Sequence, residues 1–250
     1  MRNTFDRFNG RHQDYQAARP SYAQEFLDWL GELYAPPERY TAADIGSGTG
    51  KLSAQLLAAG FRVCGVEPNP DMRGAAEALL GGDPRFSSSN GTDHDTGLPD
   101  RSVDMVAAAQ AFHWFDGPAF ARECRRILRP GGRAVLVWNV RGSAPVNQAL
   151  AQVFREHCPS FHGFTGGMGE DDPRIRDFLG GAYEKRRFPN PLTLDRDRFL
   201  RRCFSSSYAL REGDADYKAF RAALDPLSYF HILLAVRIRC GLYVNVAFAD

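Results

Sequence analysis

Three glycines at alternate positions, Gly46, Gly48 and Gly50, follow an apolar run in the stretch ADIGSGTGKLS. Glycine adopts backbone angles closed to other residues and lets a ligand approach the main chain. A turn of this kind that opens a helix also offers free amides to a carboxylate or phosphate. Two acids frame it. Asp44 stands just before the first glycine, and Glu67 ends the next apolar run, at roughly the 20-residue distance from which an acid grips ribose hydroxyls in nucleotide sites. Three ligand classes compete for such a turn. A phosphate loop needs G-x-x-x-x-G-K-[ST], but here Ile45 holds the first glycine position and Leu52 follows Lys51. A dinucleotide fingerprint needs G-x-G-x-x-G, and the third glycine comes one residue early. Another nucleoside ligand is the third class.

The elements that must position these groups alternate from residue 40 onward. The run YTAADI predicts a strand, and GKLSAQLLAAG a helix with Leu52, Leu56 and Leu57 on one face and Gly60 at its stop. RVCGVE predicts a second strand, and NPDMRGAAEALLGG a helix capped by Asn69 or Asp71. VDMVAAAQ and RAVLVWNV predict further strands around the helix PAFARECRRILRPGG, closed by Pro-Gly-Gly. This order predicts an α/β fold, a doubly wound and mostly parallel sheet with helices on both faces. Ligands then sit at the carboxyl ends of strands, where the strand order reverses. After Arg141 the rhythm breaks over 141–182, rich in glycine, phenylalanine and histidine. Late strands are expected at 183–189 and 237–248, and helices near 195–203 and 214–224. The chain reads as one domain: an N-terminal helical lid (1–39), a cofactor-binding core (40–140), and acceptor-side cap and closing strands (141–250).

Asp44 with the glycine turn, Glu67, and ILRPGG at 127–132 together resemble the class I S-adenosylmethionine-dependent methyltransferases, whose first motif has the form D-x-G-x-G-x-G. FNGRHQDYQAARPSYAQEFLDWL and LPDRSVDMVAAAQAFHWFD are similar to the small-molecule group related to ubiquinone-biosynthesis and trans-aconitate methyltransferases. The resemblance implies a Rossmann-like, seven-stranded sheet and S-adenosyl-L-methionine as cofactor. It implies that Tyr15, Arg19, Pro20 and Tyr22 begin a lid over it. Gly46, Ser47, Gly48 and Gly50 would meet the methionine portion by their backbone, and Asp44 would order the turn or accept from the ammonium. Glu67 would accept the ribose hydroxyls, a carboxylate taking two donors at once, with Asn69 and Met72 flanking the adenine. Relatives tend to carry Ala-Glu after Gly-Thr where this chain has Asp93-His94, so Asp93, with His94 beside it, is expected at the adenine amino group. Gln110 and Ala111 would face the reactive methyl. His113 would act as base, orient the acceptor, or simply pack. Trp114, Phe112 and Tyr15 would wall the sulfonium, which a π face attracts by up to about 2 kcal/mol when desolvated, although Phe112 suits a core equally. Arg19, Arg141 and the Phe161–Met168 stretch would line the acceptor pocket, an arginine suiting a carboxylate by bidentate pairing. Methyl transfer by in-line displacement to a carboxylate or hydroxyl oxygen is the expected reaction, and alignment with desolvation supplies roughly 7–11 kcal/mol of it.

Composition narrows the partners. The chain has 250 residues with 31 basic against 30 acidic side chains, so no global field favours nucleic acid or an anionic membrane. Arg122, Arg125, Arg126 and Arg129 have the spacing of a solvated helix face. Five scattered cysteines without a C-x-x-C argue against a disulfide framework, and no histidine or cysteine cluster suggests a metal. The polar start lacks the apolar core of a secretory signal, and FHILLAV at 230–236 is far shorter than the roughly 18 residues of a membrane span. A cytoplasmic monomer or homodimer acting on a small molecule is expected. A non-catalytic S-adenosylmethionine-binding scaffold or sensor is the main alternative, ahead of a nicotinamide-dependent oxidoreductase and an RNA or protein methyltransferase. The tail PLSYFHILLAVRIRCGLYVNVAFAD alternates only in part, so either it has diverged or it packs on a second subunit.

Overall fold

A computed structural model describes residues 19–141, 144–164, 168–169, 171–180, 183–192, 194–229 and 236–245. It opens with helix α1 (Gln24–Leu33) and a short 3-10 turn. Then β1 (Thr41–Ile45), α2 (Lys51–Ala58), β2 (Arg62–Val66), α3 (Pro70–Leu80) and β3 (Phe86–Ser89) follow in strict alternation. Strand β4 (Val103–Ala109), a 3-10 turn over Phe112–Trp114, α4 (Gly117–Ile127) and β5 (Leu128–Arg141) complete the first half. The second half holds α5 (Pro145–His157), α6 (Pro173–Phe178), β6 (Tyr183–Leu192), α7 (Arg196–Phe204), α8 (Tyr217–Tyr229) and β7 (Val236–Asn245).

The strands form one seven-stranded sheet in the order β3-β2-β1-β4-β5-β7-β6. Strands β1 to β5 pair in parallel, and β7 runs antiparallel to both β5 and β6. From β1 the chain winds outward through β2 and β3, then returns to place β4 on the other side of β1. That reversal leaves a crevice at the carboxyl ends of β1 and β4.

The sheet is buried on both faces, which is why its central strands read as near-continuous apolar runs. One face carries Ala43, Ile45, Val106, Ala108, Leu136 and Trp138 against Phe120, Cys124 and Ile127 of α4 and Phe178 of α6. Ala42, Val63, Met105, Ala107 and Val135 point the other way, against Phe26 and Leu30 of α1 and Leu52 and Leu56 of α2. Each large side chain so buried contributes roughly 1.5–3 kcal/mol. A third cluster joins α5, α7 and α8 through Phe154, Phe199, Phe220 and Leu224 and forms the cap.

Two stretches differ from the sequence expectation. Pro-Gly-Gly does not close α4, which ends at Ile127; residues 128–141 are one continuous strand. The register jumps from Val103↔Leu128 to Met105↔Arg133, so Pro130, which has no amide to donate, and Gly131, at φ 79°, sit in the irregular turn of that strand. The supposedly irregular stretch 141–182 contains α5 and α6, each with proline at its first turn, where the missing N–H costs nothing. The late strands and helices fall where expected, with α8 running on past Pro226 to Tyr229. Of the tail, VRIRCGLYVN forms the closing strand β7, while 230–235 and 246–250 lie outside the described residues.

Candidate functional site

The glycine turn leaves β1 at the crevice, and its three glycines all have positive φ: 68° at Gly46, 56° at Gly48 and 77° at Gly50. They differ in what a side chain would meet. A Cβ on Gly46 would lie 2.8 Å from Ala111 Cβ, and one on Gly50 would lie 2.8 Å from Leu80 Cδ1. A Cβ on Gly48 would meet nothing within 4 Å. Gly46 and Gly50 therefore serve close packing of the turn against its neighbours, and Gly48 is the glycine left open to a ligand. Helix α2 begins after it without a capping side chain, so its first amides point at the same space.

Asp44 is 1% exposed at the end of β1. One carboxylate oxygen accepts from Ser53 Oγ at 2.7 Å, and the other, Oδ1, is buried with no partner among the described residues. Burial raises its pKa to about 6, against hydrogen bonds from Ser53 that pull it down. Glu67 accepts from the Gly48 amide at 2.9 Å and from the Asn69 amide at 2.8 Å, one on each carboxylate oxygen. It thus fixes the turn between β1 and β2, and each oxygen keeps a second lone pair for a further donor. Burial raises its pKa too.

A cleft partly open to solvent lies over this turn. Asp44, Gly46, Ser47, Gly48 and Lys51 form its floor, Gln110 its wall at the end of β4, and Arg19, Pro20 and Tyr22 one side. Asn139, Arg141, Phe164 and Arg202 close it from β5 and the cap. Gln110 has φ 56°, rare for a residue with a side chain, and such strain concentrates at functional positions. Its amide donates to the Val137 carbonyl at 2.8 Å and its side chain to the Asn139 carbonyl at 3.3 Å, which hold it there.

Three sets of hydrogen bonds hold the segment before α1 in place as a strap. Gln55 of α2 exchanges two bonds with the Tyr22 backbone, each 2.9 Å. The Ser21 carbonyl accepts from Asn139 at 3.3 Å and Asn190 at 2.8 Å. Arg19 donates to Ser205 Oγ at 3.1 Å and Ser206 Oγ at 3.3 Å, just beyond α7. Tyr15, expected in the same lid, lies outside the described residues.

The structure gathers Arg19, Pro20, Tyr22, Asp44, the glycine turn, Gln110, Arg141 and Phe164 into one cleft, while Asn69, Met72, Asp93, His94, Phe112, His113 and Trp114 stand apart from its lining. Asn69 caps α3, its side chain accepting from the Met72 amide at 3.0 Å, and both residues are buried. Asp93 is committed to the Asp116 amide at 3.1 Å, before α4, and to His94 Nδ1 at 3.2 Å; His94 itself is exposed. His113 and Trp114 do not line the cleft, because the chain turns at Gln110 and carries the 3-10 turn against the core. The His113 and Trp114 rings pack on each other at 4.8 Å. Burial, with Arg174 and Arg19 nearby, lowers the His113 pKa to about 4, so the ring is neutral at neutral pH; its Nδ1 is buried and unpartnered among the described residues. Phe112 is 2% exposed between Phe120, Trp138 and Phe178, a core residue and not a sulfonium wall. Lys51, Asn139 and Arg202 were missed by sequence reasoning. Lys51 had a signal, its place directly after the glycine turn; Arg202, on an arginine-rich helix, had none.

Compared with known proteins, residues 43–136 match the family model described as a methyltransferase domain. An uncharacterised methyltransferase of Mycobacterium tuberculosis is 42% identical over 127 residues, 51% of this chain and 49% of that protein. Another from Schizosaccharomyces pombe is 32% identical over 147 residues, 58% of this chain and 57% of that protein. The chain spans about half the length of the curated relatives it matches. Among solved structures, a candidate type II methyltransferase from Anaeromyxobacter dehalogenans covers 91% of this chain and 95% of its own, at 27% identity and a TM-score of 0.53. A candidate methyltransferase from an antibiotic biosynthesis pathway of Anabaena variabilis shares the fold, with a TM-score of 0.64 at 21% identity over 92% of this chain and 99% of its own. Among the described residues no helix is long and apolar enough to cross a membrane.

Proposed function

We propose that this chain, whose residues 43–136 form a class I methyltransferase domain with S-adenosylmethionine as methyl donor, transfers that methyl to a carboxylate or hydroxyl oxygen of a small molecule. The observation that carries the reading is the pairing of the open Gly48 backbone with the unpartnered, buried Asp44 Oδ1 at the reversal point of the sheet. A ligand with an amino-acid end supplies the donors that Oδ1 lacks and a carboxylate for the free amides of α2. Glu67, with a lone pair left on each oxygen, is assigned to the ribose hydroxyls, and Asp93 or His94 to the adenine.

When bound, the cofactor supplies a methyl group activated by a positively charged sulfur, a good leaving group. The protein's part is alignment and exclusion of water. The strap from Arg19 to Tyr22 covers the cleft, Gln110 is fixed in a strained conformation at the point facing the acceptor, and Asn139 ties strap to sheet. With a carboxylate acceptor no proton has to leave. A hydroxyl acceptor needs a base, and His113, outside the cleft lining, does not stand where it could serve.

Calorimetric titration of the purified protein with S-adenosylmethionine and S-adenosylhomocysteine, with NADH and ATP as controls, tests the reading. Micromolar binding of the two sulfur nucleosides alone is expected. Failure of both to bind refutes it, and binding without transfer to any of a panel of acids and alcohols favours the scaffold or sensor.

A further inference from the structure

Among the described residues, the cleft is lined by four cationic side chains, Arg19, Lys51, Arg141 and Arg202, and by one carboxylate, Asp44. Arg202 is the least expected of them. It is 4% exposed at the last turn of α7, and its Nε and Nη1 have no acceptor among the described residues. A cation at a helix carboxyl end is favourable, but the exposed neighbour Arg201 already meets that need without burial. Arg202 instead turns inward beside Arg141, whose guanidinium carbon lies 4.2 Å from the centre of the Phe164 ring. Burial, with Arg141 and Arg19 close by, drives its pKa well down. Buried charges in proteins are paired, and an unpaired guanidinium next to another is costly.

The cofactor cannot relieve this excess. It brings one carboxylate, but also an ammonium and a sulfonium, so its own net charge is positive. The missing negative charge has to arrive with the second substrate. We infer that Arg202, with Arg141, binds an acceptor carrying two or more anionic oxyacid groups, so that one group is anchored by the guanidinium pair while another faces the methyl. The inference rests on the methyl-transfer reading for the position of the cofactor, and on the unpartnered guanidinium for the acceptor. Arginine suits the role because its planar fork meets a carboxylate or phosphate with two parallel hydrogen bonds.

The test is calorimetric titration of the full chain, with and without saturating S-adenosylhomocysteine, using tricarballylate, glutarate, inorganic phosphate and butyrate as probes. The multiply charged probes are expected to bind at least about tenfold more tightly than butyrate. Tighter binding of phosphate than of the carboxylates assigns the site to phosphate esters; the reverse assigns it to polycarboxylates. Arg202→Met should lose at least about tenfold in affinity for the preferred probe, with S-adenosylhomocysteine affinity unchanged within about twofold. Thermal unfolding of ligand-free Arg202→Met supplies the second readout. Removing an unpaired buried charge leaves the melting temperature unchanged or higher, whereas a structural arginine would lower it. Equal binding of butyrate and glutarate overturns the inference. So does failure of every probe to bind, or a lowered melting temperature in Arg202→Met with anion affinity intact. Loss of S-adenosylhomocysteine binding by the unaltered protein refutes the methyl-transfer reading instead, and anion binding measured without the nucleoside still decides the role of Arg202.

Discussion

Asp44 concentrates the electrostatics of the cleft in one side chain. Its folded pKa of about 6 stands above the ordinary carboxyl value of 3.8, so folding disfavours its ionised form. The sign follows: stability is lost as pH rises from the ordinary value through about 6, and a bound ammonium reverses the preference. Protonation at lower pH therefore opposes ligand binding. Between pH 7 and pH 5, affinity for S-adenosylhomocysteine should fall roughly tenfold, the ratio of ionised Asp44 at the two values. Glu67, whose pKa is also raised, acts in the same direction, so the decisive comparison is Asp44→Asn, in which most of the pH dependence should vanish. A wild-type profile that stays flat would detach Asp44 from the ligand. The glycines show the same division of labour. Gly46 and Gly50 pack against Ala111 and Leu80, and Gly48 alone leaves room.

The strap is the element that turns a crevice into a cleft. It has no regular structure of its own between Arg19 and Ala23, and side chains from α2, β5, β6 and the segment after α7 hold it in place. Gln55 matters most, because its amide satisfies both polar groups of the Tyr22 backbone. Two such hydrogen bonds contribute about 1–3 kcal/mol together. Gln55→Leu, which keeps the apolar stem on α2, should weaken S-adenosylhomocysteine binding by roughly tenfold. Hydrogen exchange at the Tyr22 amide should rise in the same variant. Unchanged exchange would mean that Asn139 and Asn190 suffice to hold the strap.

Across the whole molecule, the cofactor side and the cap have separate hydrophobic clusters. The sheet, α1, α2 and α4 share two of them, while α5, α7 and α8 close on Phe154, Phe199 and Phe220. Arg202 belongs to the cap and Asp44 to the sheet, so the cleft joins two cores. Phe220 is fully buried against Phe154, Phe204 and His157. Phe220→Ala should cost about 3–5 kcal/mol, borne first by the cap. Amides of α5 and α8 should lose exchange protection while those of β1 and β4 keep theirs. Uniform loss across both regions would show a single cooperative core.

What the sequence by itself determined is the local machinery. The glycine spacing, the acids at strand ends, and the apolar runs of a doubly buried parallel sheet are consequences of backbone sterics and of side-chain period. They can be read without knowing what packs on what, and they placed the turn at Gly46–Gly50, the strands around it and a helix cap at Asn69 or Asp71, of which Asn69 is the one that forms. Distance in the chain hid the rest. Arg202 meets Arg141 only because α7 folds back over β5, and nothing in RDRFLRRCF separates the buried arginine from its exposed neighbours. His113 and Phe112 looked like site residues by position, but the turn at Gln110 directs the one away from the cleft lining and the other into the core. Tertiary structure decided those cases, because burial and charge pairing depend on neighbours that the chain brings together from far apart.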